Sequence, residues 1–348
     1  MKQFSLGVLL ATLLSGAIAC QPSPSTDESP SSSLNELPGE GIEVQAVHTN
    51  DISDYFSTAI INKGLERLGY EIEESAEVTP GILFVALANK DVDYTAIHWE
   101  RLHNKFYEKS GGDEKLDKVG AIIAGMVQGY QIDKKTAEEH NITNLEQLKD
   151  PEVAKLFDSD RDGKADLAGC PPGWGCELAI EHHLDAYDLR DTVEHNQGAY
   201  ALIISDTINR YKQGESVLFY TWTPLWVGEL LKPGKDTIWL EVPYTALPEE
   251  QGNISETETT VEGKNLGFAI ERIMITANKE FLAANPAAKQ LFELIEIPLE
   301  DINAQHLKIR EGEDSLEDIN RHAEEWIAQN QDLFDGWIEE ALQVESKN

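Results

Sequence analysis

Three tryptophans and one short cysteine loop carry the chemistry that this sequence offers. Residues 169–177 read Gly-Cys-Pro-Pro-Gly-Trp-Gly-Cys-Glu, with Cys170 and Cys176 six positions apart and Trp174 between two glycines. Two prolines fix φ ahead of the tryptophan, and the glycines let backbone approach a ligand closely. Trp99 and Trp222 stand, like Trp174, at the ends of expected elements rather than on a periodic apolar face. An indole face attracts a cation within about 6 Å of its centre, worth roughly 0.5–2 kcal/mol per ring. A quaternary ammonium has no strong N–H donor, so an aromatic cage is the natural way to hold it. Three rings would supply roughly 2–6 kcal/mol in gross terms, whereas micromolar binding needs about 8. The rest must come from another part of the ligand. Gly175 and Cys176 can present backbone N–H groups at a helix start, which is an anion site. His103 lies four residues after Trp99, so a helix there would put both on one face, and its ring could donate to a carboxylate. A trimethylammonium head with a carboxylate tail fits both halves. The competing reading for any one tryptophan is simple burial, and for His103 a solvated surface position. Trp239, Trp326 and Trp337 are assigned to the core.

The elements that must position these groups alternate. Strands are expected over residues 42–47, 70–72, 92–97, 119–133, 217–222 and 267–277, and helices over 54–68, 82–88, 200–211 and 286–294. One long helix is expected over 316–344. Thr143 with Glu146 three residues later reads as a capping box, and 249–264 as an exposed acidic loop. Strand–helix alternation implies open α/β sheets, in which ligands bind beyond the carboxyl ends of strands. Two such lobes closing by a hinge suit a binding protein.

The chain has 348 residues, 63 acidic against 28 basic, for a net charge of −35. That excludes nucleic acid or an anionic lipid surface as an electrostatic partner. Lys2, the apolar run that follows and the small residues up to Ala19 form an export signal. Cleavage before Cys20 resembles a bacterial lipoprotein signal, and plain secretion after Ala19 is the alternative. The Ser- and Pro-rich residues 21–38 read as a flexible tether. Outside the cytoplasm disulfides persist. With Cys20 lipidated, Cys170 pairs with Cys176 and no thiol is left over.

Several motifs then carry a family resemblance. They are the segments 165–177, His195-Asn-Gln-Gly198, Tyr220-Thr-Trp-Thr-Pro-Leu-Trp226, Lys232-Pro-Gly-Lys-Asp236 and Asp301-Ile-Asn-Ala-Gln305. Together the chain resembles the glycine betaine/proline betaine binding proteins of ProU-type ABC importers over nearly all of residues 38–345. The resemblance implies a type II periplasmic-binding-protein fold, two α/β lobes joined by a two-segment hinge. It implies a box of Trp99, Trp174 and Trp222 around the quaternary ammonium. It also implies carboxylate contacts from His103 and the N–H groups of Gly175 and Cys176. The expected organisation is a signal peptide (1–19), a lipidated Cys20 with tether (20–38), lobe 1 (39–130 with 265–348) and lobe 2 (131–264). The implied partners are a zwitterionic betaine, an ABC permease with its ATPase, and the membrane through the lipid anchor. The protein itself is expected to be a monomer outside the cytoplasm. The chain departs from the family's pattern in its tether, in Pro171-Pro172 and in Glu100-Arg101.

A second constellation is Asp158, Asp160, Asp162, Lys164 and Asp166. Their spacing matches the first nine positions of an EF-hand loop, with Gly163 at position 6 and Gly169 where the bidentate Glu would stand. It marks either a structural calcium site or an acidic turn. Glu181-His-His183 reads as a solvated helix face. No phosphate loop, nucleophile elbow or zinc-hydrolase helix appears, so the chain is expected to be no enzyme and to need no cofactor. The alternatives are a choline receptor, a secreted metal-dependent hydrolase and a calcium-dependent adhesion module.

Overall fold

A computed structural model of the chain describes residues 37–49 and 51–345. The expected signal peptide, lipidated Cys20 and tether as far as residue 36 lie outside them. The expected first strand is two short pieces, Glu43–Val44 and Val47–His48, because each pairs with a different parallel partner, Glu71–Ile72 and Ala76–Glu77. Helix α1 (Tyr55–Arg67) buries Phe56, Ile60, Ile61 and Leu65 at helical spacing. Helix α2 (Pro80–Asn89) starts on a proline whose missing N–H costs nothing there. Strand β1 (Tyr94–Trp99), helix α3 (Asn104–Lys109) and the 18-residue strand β2 (Leu116–Asp133) follow. Next come β3 (Ala165–Ala168), α4 (Gly175–Ala186), β4 (Val193–Asn196), α5 (Tyr200–Lys212), β5 (Leu218–Thr223) and β6 (Thr237–Trp239). The chain closes with β7 (Glu271–Asn278), α6 (Pro286–Leu294), α7 (Leu299–Arg310), α8 (Leu316–Gln329) and α9 (Gln331–Glu345).

Seven strands form one sheet in the order β1-β7-β2-β5-β3-β4, with β6 also on β2. Strand β2 is shared. Leu116 to Met126 pair antiparallel with β7, and Val127 to Ile132 pair antiparallel with β5. Gly125, at φ 79°, stands just before the change of partner, a conformation that favours glycine. The sheet therefore has two halves. One is antiparallel, around β1 and β7. The other places β3 parallel to both β4 and β5. Helices from the two chain ends cover the first half: Gly64 of α1 meets Leu291 of α6, and Trp326 of α8 stacks on Trp337 of α9 at 6.1 Å. This is the mixed α/β architecture expected.

Four local expectations need correction. The long C-terminal helix is two, broken at Asn330, whose N–H caps the carbonyls of Trp326 and Ile327. The capping box belongs to Asn144 and Gln147, one residue along from Thr143 and Glu146, since Asn is the stronger N-cap. Residues 249–264 are partly ordered, with a helical turn at Glu256–Thr259 and a strand pair that bury Thr259. Helix α7 and strands β3, β4 and β6 stand where no element is expected from the sequence.

Candidate ligand-binding site

The carboxyl ends of three strands meet at one cavity. Trp99 ends β1, Trp222 is the penultimate residue of β5, and β3 runs into the cysteine loop. The space between its walls, mouth included, is about 750 Å³. Trp99, His103, Trp174, Gly175, Cys176 and Trp222 all line it. Trp222 is the hub of the rings. Its centroid lies 6.1 Å from Trp99, edge-on at 90°, and 6.4 Å from Trp174 at 56°. Tyr200 backs it at 4.6 Å and Tyr220 at 5.9 Å. Trp222 is itself buried, whereas Trp99 and Trp174 keep part of their surface open.

The cysteine loop is fixed from several sides. Cys170 and Cys176 are disulfide-bonded, their Cα atoms 6.0 Å apart. The Cys170 N–H donates to His195 Nε2 at 2.9 Å, and His195 Nδ1 meets a Glu181 carboxylate oxygen at 2.8 Å. A Cβ on Gly169 would fall 2.1 Å from the His195 ring, so only glycine fits there. Trp174 is the N-cap of α4, and Gly175 and Cys176 are its first two residues. The first N–H groups of a helix have no acceptor within it and concentrate the positive end of its dipole.

His103 is not on a helix face with Trp99. It is the N-cap of α3, reached through a turn in which its N–H donates to the Trp99 carbonyl at 2.9 Å. It is also buried, not solvated, and its Nδ1 has no partner. Burial drives its pKa down to about 3, because a charge is costly there. At neutral pH the ring is an uncharged donor with one nitrogen unsatisfied.

The sequence reading missed part of the lining. Thr49, Asp51, Asp54, Tyr220 and His306 face the same cavity. Asp54 accepts a hydrogen bond from the Thr49 hydroxyl, and its carboxyl is pushed up to about 8 by burial and by Asp51 beside it. Burial brings His306 of α7 down to about 4 against the charge of Asp51. The segment 49–54 follows a strand, which is the one signal that could have marked it.

Of the five acidic-turn residues, Asp158, Asp160 and Asp166 bring carboxylate oxygens within 4.8 Å of one another. Asp162 and Lys164 do not join them. The turn is capped from within: Asp158 accepts from the N–H groups of Arg161 and Gly163, and Asp166 from Ser159 and from the Asn196 side chain. His183, expected on a solvated face, is fully buried and bonded to the Tyr130 hydroxyl at 2.7 Å.

Comparison with known proteins gives a consistent result. A family model described as the substrate binding domain of ABC-type glycine betaine transport systems matches residues 43–329. The glycine betaine-binding periplasmic protein OusX of Dickeya dadantii is 49% identical over 308 residues, covering 88% of this chain and 92% of its own. The glycine betaine/proline betaine-binding periplasmic protein of Escherichia coli is 48% identical over 307 residues, with the same coverage of 88% and 92%. Among solved structures, a glycine betaine/L-proline-binding protein of Borrelia burgdorferi superposes with a TM-score of 0.67 at 19% identity, covering 87% of this chain and 98% of that one. At that identity the likeness concerns the fold.

Proposed function

From the premise that the chain belongs to the family of substrate-binding domains of ABC-type glycine betaine transport systems, we propose how its cavity holds the ligand. The protein is a substrate-binding component of glycine betaine transport and not an enzyme. In our reading Trp99, Trp174 and Trp222 surround the quaternary ammonium. The N–H groups of Gly175 and Cys176 and the neutral His103 ring receive the carboxylate. Lobe 1 (39–130 with 265–348) closes on lobe 2 (131–264) over the bound betaine. A lipid on Cys20 and the tether hold the monomer at the outer face of the membrane. There it delivers the ligand to a permease driven by an ATPase. No described helix is long and apolar enough to cross a membrane.

One observation supports this most. A buried, uncharged histidine with an unpaired nitrogen shares a cavity with three indoles and a helix start. An unpaired buried polar atom costs about 1–3 kcal/mol, and a ligand carboxylate would relieve it. The test is calorimetry with glycine betaine on wild type and Trp174→Ala. We expect micromolar or tighter binding and a loss of about 5- to 30-fold in the variant, since one ring is worth about 1–2 kcal/mol in a largely desolvated site. Absence of binding to any betaine, or an unaffected variant, refutes the cage. Choline is a second candidate ligand, favoured by the acidic Asp51 in the lining, which suits a net cation.

A further inference from the structure

Between the two residues that lobe 1 gives to the ligand, Trp99 and His103, lies a turn of three residues. It is held by a side chain from a distant strand. Glu271, the first residue of β7, is 1% exposed. Its Oε1 accepts the Leu102 N–H at 2.8 Å and its Oε2 accepts the Arg101 N–H at 3.1 Å. Both carboxylate oxygens are thus spent on adjacent peptides of one turn. Glu271 also stands opposite Met126, the last residue of β2 that pairs with β7 before β2 turns to β5. The turn meets the other half of the site directly: a Cβ on Gly175 would lie 2.5 Å from the Leu102 carbonyl oxygen. The Leu102 peptide is therefore gripped by Glu271 through its N–H, while its neighbouring carbonyl abuts the helix start that carries Gly175 and Cys176.

We propose that Glu271 is a positioning residue for betaine binding, whose ionised carboxylate fixes the Trp99–His103 turn against the cysteine loop and so makes affinity depend on pH. The inference rests on the binding reading above. Its physical basis is the number of acceptors. An ionised carboxylate accepts both N–H groups. A protonated one presents an O–H to one of them, and that bond is lost. The groups facing Glu271 are few. Glu100 and Arg101 on the turn oppose each other in their effect on it, and Glu100 is engaged by Arg272. Tyr220 on β5, whose phenol feels the Glu271 charge, is held neutral by burial. Met126 across β2 does not titrate. Burial raises the Glu271 carboxyl to about 7, against the two N–H bonds that pull it down. Ligand binding needs the ionised form, so it releases a proton whenever the free protein carries one.

The experiment is glycine betaine titration by calorimetry from pH 8 to pH 6 on wild type, Glu271→Gln and Glu271→Asp, with ligand-free melting of each. Wild-type affinity is expected to fall roughly tenfold over that range. Glu271→Gln, which cannot ionise, is expected to be about tenfold weaker at pH 8 and flat between pH 7 and pH 6, below the Asp54 carboxyl at about 8. Its melting temperature need not fall. Glu271→Asp is expected to keep the slope, and it carries the test if the glutamine variant does not fold. A flat wild-type profile, or a glutamine variant with the wild-type slope, overturns the proposal. Failure of wild type to bind betaine at any pH would refute the binding reading instead.

Discussion

Replacing His103 with alanine separates the two halves of the proposed site. The ring is buried, uncharged and lacks a partner for Nδ1. A hydrogen bond to a charged group is worth about 1.5–3 kcal/mol, which at 1.4 kcal/mol per decade corresponds to roughly 10- to 150-fold in affinity. Glycine betaine should lose that much in His103→Ala. Choline has the same trimethylammonium head and no carboxylate, so its affinity should change by less than about threefold, a difference well under 1 kcal/mol. The His103 ring also packs edge-on to Phe84 at 5.9 Å. The variant will therefore lose some stability, but that loss is common to both ligands and cancels in their ratio. His103→Gln keeps a donor and should recover part of the betaine affinity. Burial holds the ring neutral down to about pH 3, so the comparison is made at pH 8, where the Glu271 carboxyl, at about 7, is ionised. Paired calorimetric titrations measure the betaine-to-choline ratio. Equal losses for the two ligands would refute the carboxylate anchor, because the ring would then be shaping the cavity only.

Gly175→Ala places a methyl 2.5 Å from the Leu102 carbonyl; affinity should fall tenfold or more by fluorescence titration, and the free protein should lose about 1–3 kcal/mol of stability because the clash is with backbone. Replacing Cys170 and Cys176 together with serine should cost about 2–2.5 kcal/mol at most, since the closed loop is short, yet weaken betaine binding more than that stability loss alone would. Ligand-free stability should also carry the Glu271 signature. Its carboxyl is raised in the folded chain, so its contribution is complete below pH 4.5 and is lost as pH rises through 7. That is up to about 3 kcal/mol at 1.4 kcal/mol per pH unit, absent in Glu271→Gln and readable from urea titrations at pH 5 and pH 8. The Asp158–Asp166 turn has its carboxylates occupied by its own N–H groups, so millimolar calcium or EDTA should leave the melting temperature within about 1 °C. A calcium-dependent rise would assign the ion to Asp158, Asp160 and Asp166.

The site was legible where chemistry and position coincided in one residue. Trp99, Trp174 and Trp222 could be read because each ends an element, and the cysteine loop because its composition serves no ordinary turn. Asp54, His306 and Glu271 could not be read, because what matters is where a fold distant in sequence aims an ordinary carboxylate or imidazole. His306 also concealed its helix. The buried face of α7 is Ile302, Gln305 and His306, so two of its three inward residues are polar and the apolar stripe that reveals a helix is missing. Residues 249–264 misled in the opposite way, their acidic surface masking the buried Thr259.

The shared strand β2 has a consequence for how the molecule comes apart. At about 3.3 Å per residue, its 18 residues span on the order of 60 Å. The ladder of one half and the ladder of the other are both built on it. Neither half can melt without stripping partners from a strand that the other still needs. Denaturant should therefore meet one cooperative transition, and amide exchange along β2 should report the global unfolding energy at both of its ends.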